Sequence, residues 1–336
     1  MFKAYVISLK EPDKLIINLE NKGILARWVE AIDGKKINNK TIKNNTTLLY
    51  SIFGSKNSIA IAMSHMKAWK IFLKTNQPYT TIFEEDVIIE DNFTNKLSIN
   101  LKNTPDDYDL LYLGCFGCQK STNTLSILFS FLGEGNVDYR NINEYINKPF
   151  IAVALHAYVI SRQGAIKLLK LLEGKIYFYL DYCIQNLSSN NLINIYSLNE
   201  RIAYQTSTDS DFSSTVSNSH PLLLNKSLSN FYIDEKCRAS YLTTVSIFRI
   251  GEFNFTISSL LFLVLGIILA NHLSNKDNFD DIVEATFLYL IINLPDIIYN
   301  IDTSKDVVII KSIELDKAIK IHYILFIIPF FIMKNM

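Results

Sequence analysis

Three consecutive acids, Glu84, Glu85 and Asp86, close an apolar run, Tyr79–Phe83. In that position they repel one another, and each loses hydration if buried. A hard divalent cation among them relieves both costs, because Mn2+ or Mg2+ prefers carboxylate oxygen. Such an ion bridges phosphates and neutralises charge on a departing nucleotide. The plain alternative is a strand ending at Phe83 and a solvated acidic turn. Upstream stand Ser64, His65 and Trp69. His65 and Trp69 are four apart and share a face if the segment is helical. A lone His is more often structural and a Trp more often core, so this pair alone decides nothing. Cys115 and Cys118 form one C-x-x-C, with Cys183 and Cys237 isolated. A zinc site needs a second such pair or added His at tight spacing. Ordinary buried or half-buried thiols are therefore expected.

These groups need elements to hold them. Ala4–Leu9, Tyr79–Phe83, Leu110–Leu113 and Val153–Ile160 are short apolar runs with strand character. Lys14–Lys22, Ile59–Leu73 and Gln163–Leu172 carry helical periodicity. In Ile59–Leu73 the stripe Ile59, Ala62, Met63, Met66 should pack on a sheet. Alternation of β and α predicts an α/β domain with a mostly parallel central sheet flanked by helices. Gly114–Phe150 and Tyr204–His220 read as loops.

The chain has 336 residues, 33 Lys+Arg and 33 Asp+Glu, with 49% hydrophobic and 20% charged residues. That excludes a disordered chain or a fibre. Zero net charge without a basic block leaves no electrostatic footprint for nucleic acid. The start, Met1–Lys10, reads as a buried strand and not as a secretory signal, because its apolar run is too short. A cytoplasmic domain is expected.

The order of the pieces carries a resemblance. V-I-S-L (Val6–Leu9) comes first, then W-V-E-A-I-D-G (Trp28–Gly34) and I-A-M-S-H-M-K-A-W (Ile61–Trp69). Next are F-E-E-D-V (Phe83–Val87), D-L-L-Y-L-G (Asp109–Gly114) and A-Y-V-I-S-R-Q-G-A-I-K-L-L (Ala157–Leu169). Together these resemble glycosyltransferase family 25, which includes lipooligosaccharide galactosyltransferases. The resemblance implies a nucleotide-sugar glycosyltransferase fold of type A over residues 1–220. It implies transfer of a hexose, galactose from UDP-galactose, to a surface glycan or lipid-linked glycan acceptor. Glu85 and Asp86 would hold Mn2+ or Mg2+. The family's triplet reads E-D-D, so Glu85 in the middle is a departure. Glu84 and Asp181 take the catalytic roles, Asp181 as base on the acceptor hydroxyl. Ser64, His65, Trp69, Tyr158 and Gln205 would bind substrate. An inert glycan- or partner-binding relative is the alternative.

Residues 221–336 lie outside the resemblance and form a hydrophobic extension. Residues 253–275 contain no Asp, Glu, Lys or Arg, long enough for a bilayer-crossing helix. Two readings stay open: a helix associated with the cytoplasmic face of the inner membrane, and the core of a small C-terminal subdomain packed on Phe287, Leu290 and Ile321–Phe326.

Overall fold

The computed structural model describes residues 2–116, 118, 140–149, 152–205, 246–250, 253–273, 282–289, 323–330 and 332. The chain divides into two compact units. Described residues through Gln205 belong to the first, and those from Ser246 onward to the second. The expected boundary at residue 220 lies outside the described residues.

The strands of the first unit are β1 (Phe2–Ser8), β2 (Ile24–Glu30), β3 (Tyr79–Glu84), β4 (Val87–Ile89), β5 (Leu110–Phe116), β6 (Arg140–Asn141), β7 (Ile146–Lys148), β8 (Val153–Ser161), β9 (Ile195–Leu198) and β10 (Ala203–Gln205). Its α-helices are α1 (Asp13–Asn21), α2 (Asn39–Asn45), α3 (Leu48–Phe53), α4 (Lys56–Leu73), α5 (Phe93–Asn103), α6 (Arg162–Leu172) and α7 (Leu180–Ser189). Eight strands form one sheet in the order β2-β1-β3-β8-β5-β9-β7-β6, while β10 and β4 pair separately. β8 and β7 run against the other six. Six of the eight strands thus run one way, the mostly parallel sheet expected, and the exceptions are β8 between β3 and β5 and β7 between β9 and β6. Period-2 patterning does not encode strand direction. Direction is set by how the chain crosses between strands: antiparallel neighbours can be joined by a tight turn, whereas parallel neighbours need a longer crossover.

Burial on both faces explains why the strands read as continuous apolar runs. Tyr5, Ile7, Ile82, Leu110, Tyr112, Tyr158 and Ile160 face one core with Ile59, Ala62, Met66, Trp69 and Phe72 of α4. Ala4, Val6, Phe83, Leu111, Leu113 and Val159 face the other, with Leu19 of α1 and Phe93 and Leu97 of α5. Met66 is 3% exposed. Met66→Asp is therefore expected to cost at least about 3 kcal/mol, since an unpaired charge would be buried. Denaturant unfolding checks this, and an unchanged midpoint would contradict the packing of the α4 stripe.

Inside the segment read as a loop, β6 and β7 form a short antiparallel pair. Cys115 and Cys118 are joined in a disulfide, which replaces the expected free thiols. Cys183 is free and buried, and burial pushes its thiol up to about 11.

In the second unit, β11 (Ser246–Ile250) and β12 (Phe253–Thr256) pair antiparallel, and α8 spans Ile257–Leu273. Phe262 and Ala270 of α8 pack with Ala285 and Tyr289 of the helix over 282–289 and Phe326 and Phe330 of the helix over 323–330. A Cβ on Gly266 would run into the Phe326 carbonyl oxygen, so the two backbones meet there. α8 has 17 residues, and among the described residues no helix is long and apolar enough to cross a membrane. The charge-free stretch is divided between β12 and α8, which shortens the helix. Of the packing partners expected for a subdomain, Phe326 is engaged, whereas Phe287 is exposed and Tyr289 is buried in the cluster, and Leu290 and Ile321 lie outside the described residues.

Candidate functional site

β3 is flanked by β1 and β8, and its last residue, Glu84, stands opposite Ile7 of β1. The acids thus leave the carboxyl end of a central strand, the edge where α/β sheets bind ligands. Ile82 and Phe83 are fully buried, Glu84 and Asp86 half-buried and Glu85 exposed. Repulsion is relieved by three different partners. Glu84 meets His65, Glu85 meets the Ser8 hydroxyl at the end of β1, and Asp86 meets Gln205. The Gln205 amide donates to Asp86 Oδ2 at 2.7 Å, because β10 pairs with β4 and sets Gln205 beside Val87.

A buried hydrogen-bond chain ends on Glu84. Trp69 Nε1 donates to the Tyr158 hydroxyl at 2.8 Å. That hydroxyl lies 2.9 Å from His65 Nδ1, and His65 Nε2 lies 3.0 Å from Glu84 Oε1. Indole N–H can only donate and ionised carboxylate can only accept. With the Nε2–H tautomer every link is satisfied in one direction, from Trp69 to Glu84. Helical spacing of His65 and Trp69 lets both reach Tyr158 on β8. Burial alone would raise the Glu84 carboxyl, but the His65 hydrogen bond and charge, with His156, hold it below its usual value.

His65 is 1% exposed, and Trp69 and Tyr158 are fully buried. Trp69 and Tyr158, expected to bind substrate, instead reach the acids through His65. Ser64, also expected to bind substrate, is spent elsewhere. Its hydroxyl accepts from Ile32 N at 2.8 Å and donates to the Ala60 carbonyl at 2.7 Å. It fastens the segment after β2 to α4.

Asp181, expected as a base, has both oxygens on backbone amides. Oδ2 accepts from Ala154 N at 3.0 Å and Oδ1 from Tyr182 N at 2.9 Å. Burial pushes its carboxyl up, those amides pull it back, and the charge of Glu84 raises it again. In this arrangement it clamps α7 to the start of β8. There Ala154 has φ of 71°, a left-handed conformation costly for a residue with a Cβ.

Two neighbours of the acids went unread in the sequence. Ser8 is the polar residue closing the apolar run of β1. His156 is a single histidine inside an apolar strand, and that oddity was its only signal. His156 is 1% exposed. A Cβ on Gly114 would lie 2.7 Å from its Nε2 and would run into the Ala203 carbonyl. Burial presses the imidazole down to about 4, against the opposing pull of Glu84 and the Ala203 carbonyl.

Carboxylate oxygens on Glu85 and Asp86 suit a hard cation in ligand type. Among the described residues no three His, Cys, Asp or Glu side chains are gathered to hold a metal by themselves. A cavity of about 440 Å3 on another face of α4 is lined by Met63, Met66, Lys67, Lys70 and Lys74, among others, and by none of the three acids.

The family described as Glycosyltransferase family 25 (LPS biosynthesis protein) matches residues 1–184, more than half of the chain. The chain belongs to glycosyltransferase family 25. Within the family it is similar to Procollagen galactosyltransferase 2 of Homo sapiens, 29% identical over 127 residues, covering 33% of this chain and 20% of that protein. It is also similar to "Probable inactive glycosyltransferase 25 family member 3" of Rattus norvegicus, 27% identical over 127 residues, 33% of this chain and 22% of the relative. The Homo sapiens Inactive glycosyltransferase 25 family member 3 is likewise 27% identical over 127 residues, covering 33% and 21%. The chain thus spans about a fifth of the length of these curated relatives.

Several family-like motifs meet physically in this fold. Trp28 Nε1 donates to the Ser8 carbonyl at 3.0 Å, joining the first two. Asp109 of D-L-L-Y-L-G is buried and paired with Lys167 Nζ at 2.7 Å. Gly164 lies against the Asp109 carbonyl, where a Cβ would collide. Those residues hold α6 on β5, and their role is positional.

Proposed function

We propose that the chain transfers a hexose, galactose from UDP-galactose, to a surface glycan such as lipooligosaccharide. The observation that carries this reading is the placing of Glu85 and Asp86 at the carboxyl end of β3 in a family 25 glycosyltransferase. The name of the Homo sapiens galactosyltransferase supports galactose. Glu85 and Asp86 would share Mn2+ or Mg2+ with the donor diphosphate. Two carboxylates are enough when substrate phosphates complete the shell. When bound, the ion neutralises charge on the leaving nucleotide. Gln205 fixes the Asp86 carboxylate, and Ser8 fixes Glu85. Glu84, held by His65, faces the sugar. Asp181 shapes the start of β8 and stands within electrostatic reach of Glu84.

A catalytically inert relative is the second reading. Glu85 in the middle of the triplet and the inactive relatives favour it. Mass spectrometry of a lipooligosaccharide acceptor, incubated with the chain, UDP-galactose and Mn2+, separates the two. Gain of one hexose is expected. A folded chain that binds the donor and leaves the acceptor mass unchanged would establish the inert reading.

The same proposal places the enzyme at the cytoplasmic face of the inner membrane, near a lipid-linked acceptor. Val264, Leu265, Ile267 and Ile268 of α8 are exposed and apolar, which supports interfacial contact. Full-length chain should sediment with membranes, and a monodisperse detergent-free soluble species would contradict this placement.

A further inference from the structure

We propose that His65 is a positioning residue that fixes one oxygen of Glu84 so that the other accepts a sugar hydroxyl. The inference rests on the glycosyl-transfer reading above. It assigns this task to the chain Trp69–Tyr158–His65, none of which needs to touch substrate.

The geometry supports a one-way chain. Trp69 Nε1 has only a proton to give, and it gives it to the Tyr158 hydroxyl. The hydroxyl then has its own proton free for His65 Nδ1, which leaves Nε2–H aimed at Glu84 Oε1. All three donors are at most 1% exposed, so no water competes for their protons. The rings are also in contact: His65 lies 5.7 Å from Tyr158 and 6.5 Å from Trp69 between centroids, and neither pair is coplanar. Such packing prevents His65 from turning its Nε2–H elsewhere.

Glu84 itself differs from its supports. Its side chain is 25% exposed. Oε1 is taken by His65, and Oε2 has no hydrogen-bond partner among the described residues. One oxygen is therefore fixed and one presented. A carboxylate with a free oxygen next to a diphosphate site accepts readily from a hydroxyl of a polyol. Preorganisation of this kind matters because a misplaced contact loses most of its catalytic value. Sequence alone hides the arrangement, since Tyr158 and His65 lie 93 residues apart.

The test uses full-length chain, UDP-galactose, Mn2+ and a lipooligosaccharide acceptor. His65→Leu and Tyr158→Phe each break the chain while keeping bulk. Both are expected to lower kcat about tenfold or more with UDP binding unchanged. His65→Gln can accept from Tyr158 and donate to Glu84, so it is expected to retain kcat within about threefold. A merely structural role would not produce that rescue, nor spare UDP binding. If His65→Leu fails to fold, Tyr158→Phe, which loses one oxygen atom, carries the test. Calorimetry then separates the source of the hydroxyl. Weaker binding of UDP-galactose with unchanged UDP binding identifies the donor sugar, and a raised acceptor KM identifies the acceptor. Wild-type turnover together with full kcat in both broken variants would overturn the positioning role alone. Wild type that neither binds UDP-galactose nor transfers from it would overturn the glycosyl-transfer reading, and this inference with it.

Discussion

Asp86→Asn is expected to lower glycosyl transfer by about two orders of magnitude, the usual loss when one electrostatic contact to the reacting charge is removed. The substitution keeps shape, and the new side chain can still accept from Gln205, which now donates to Asp86 Oδ2 at 2.7 Å. What disappears is one of the two charges proposed to face the cation and diphosphate. Glu85 alone then carries that task from an exposed position. Binding of UDP-galactose with Mn2+, read by calorimetry, should weaken in parallel, while the melting temperature stays near that of wild type. Gln205→Ala should cost less, about tenfold, because it only orients Asp86. Unchanged donor affinity in Asp86→Asn with Mn2+ present would remove the cation role from this residue.

Acidification is expected to destabilise the first unit through His156. Burial presses its imidazole down from 6.5 to about 4, opposed by Glu84 and the Ala203 carbonyl and assisted by Arg201. Between those two values the unfolded chain binds the proton and the folded chain does not. Stability therefore rises with pH across that window. The contribution is complete above about 6.5 and is lost as pH falls through about 4. At about 1.4 kcal/mol per pH unit, the whole window amounts to about 3 kcal/mol. Asp181, whose carboxyl is raised by burial, takes up its proton earlier in the folded chain and acts in the opposite sense at the acid end. The slope that His156 contributes should therefore lie between about pH 6.5 and 4. Denaturant unfolding at several pH values measures it, and His156→Gln should flatten it. A His156→Gln chain with the same slope as wild type would contradict the assignment.

Much of this architecture was legible where the information is local. The α4 stripe could be read because Ile59, Ala62 and Met66 recur at helical spacing, and all three are buried. The strand closed by acids could be read because three carboxylates after Phe83 break an apolar run. Direction and partnership could not. β8 enters antiparallel because its neighbours are decided by chain crossing, which no window of residues contains. Gln205 reaches Asp86 across 119 residues, and only a resemblance pointed to it. Ser64 and Trp69 illustrate a different limit. The motif marked them as substrate-binding, but residue type cannot distinguish a side chain that touches substrate from one that holds its neighbour. Burial makes that distinction: Ser64 secures Ile32, and Trp69 secures Tyr158. The Cys115–Cys118 bond was likewise hidden, since C-x-x-C spacing alone fits several states.

The most direct measurement is nucleotide release by purified full-length chain, across a panel of nucleotide-sugar donors with Mn2+, with and without acceptor glycan. UDP release from UDP-galactose is expected to rise when acceptor is added and to fall in Asp86→Asn. A folded chain that releases no nucleotide from any donor, with or without acceptor, would contradict the proposed transfer.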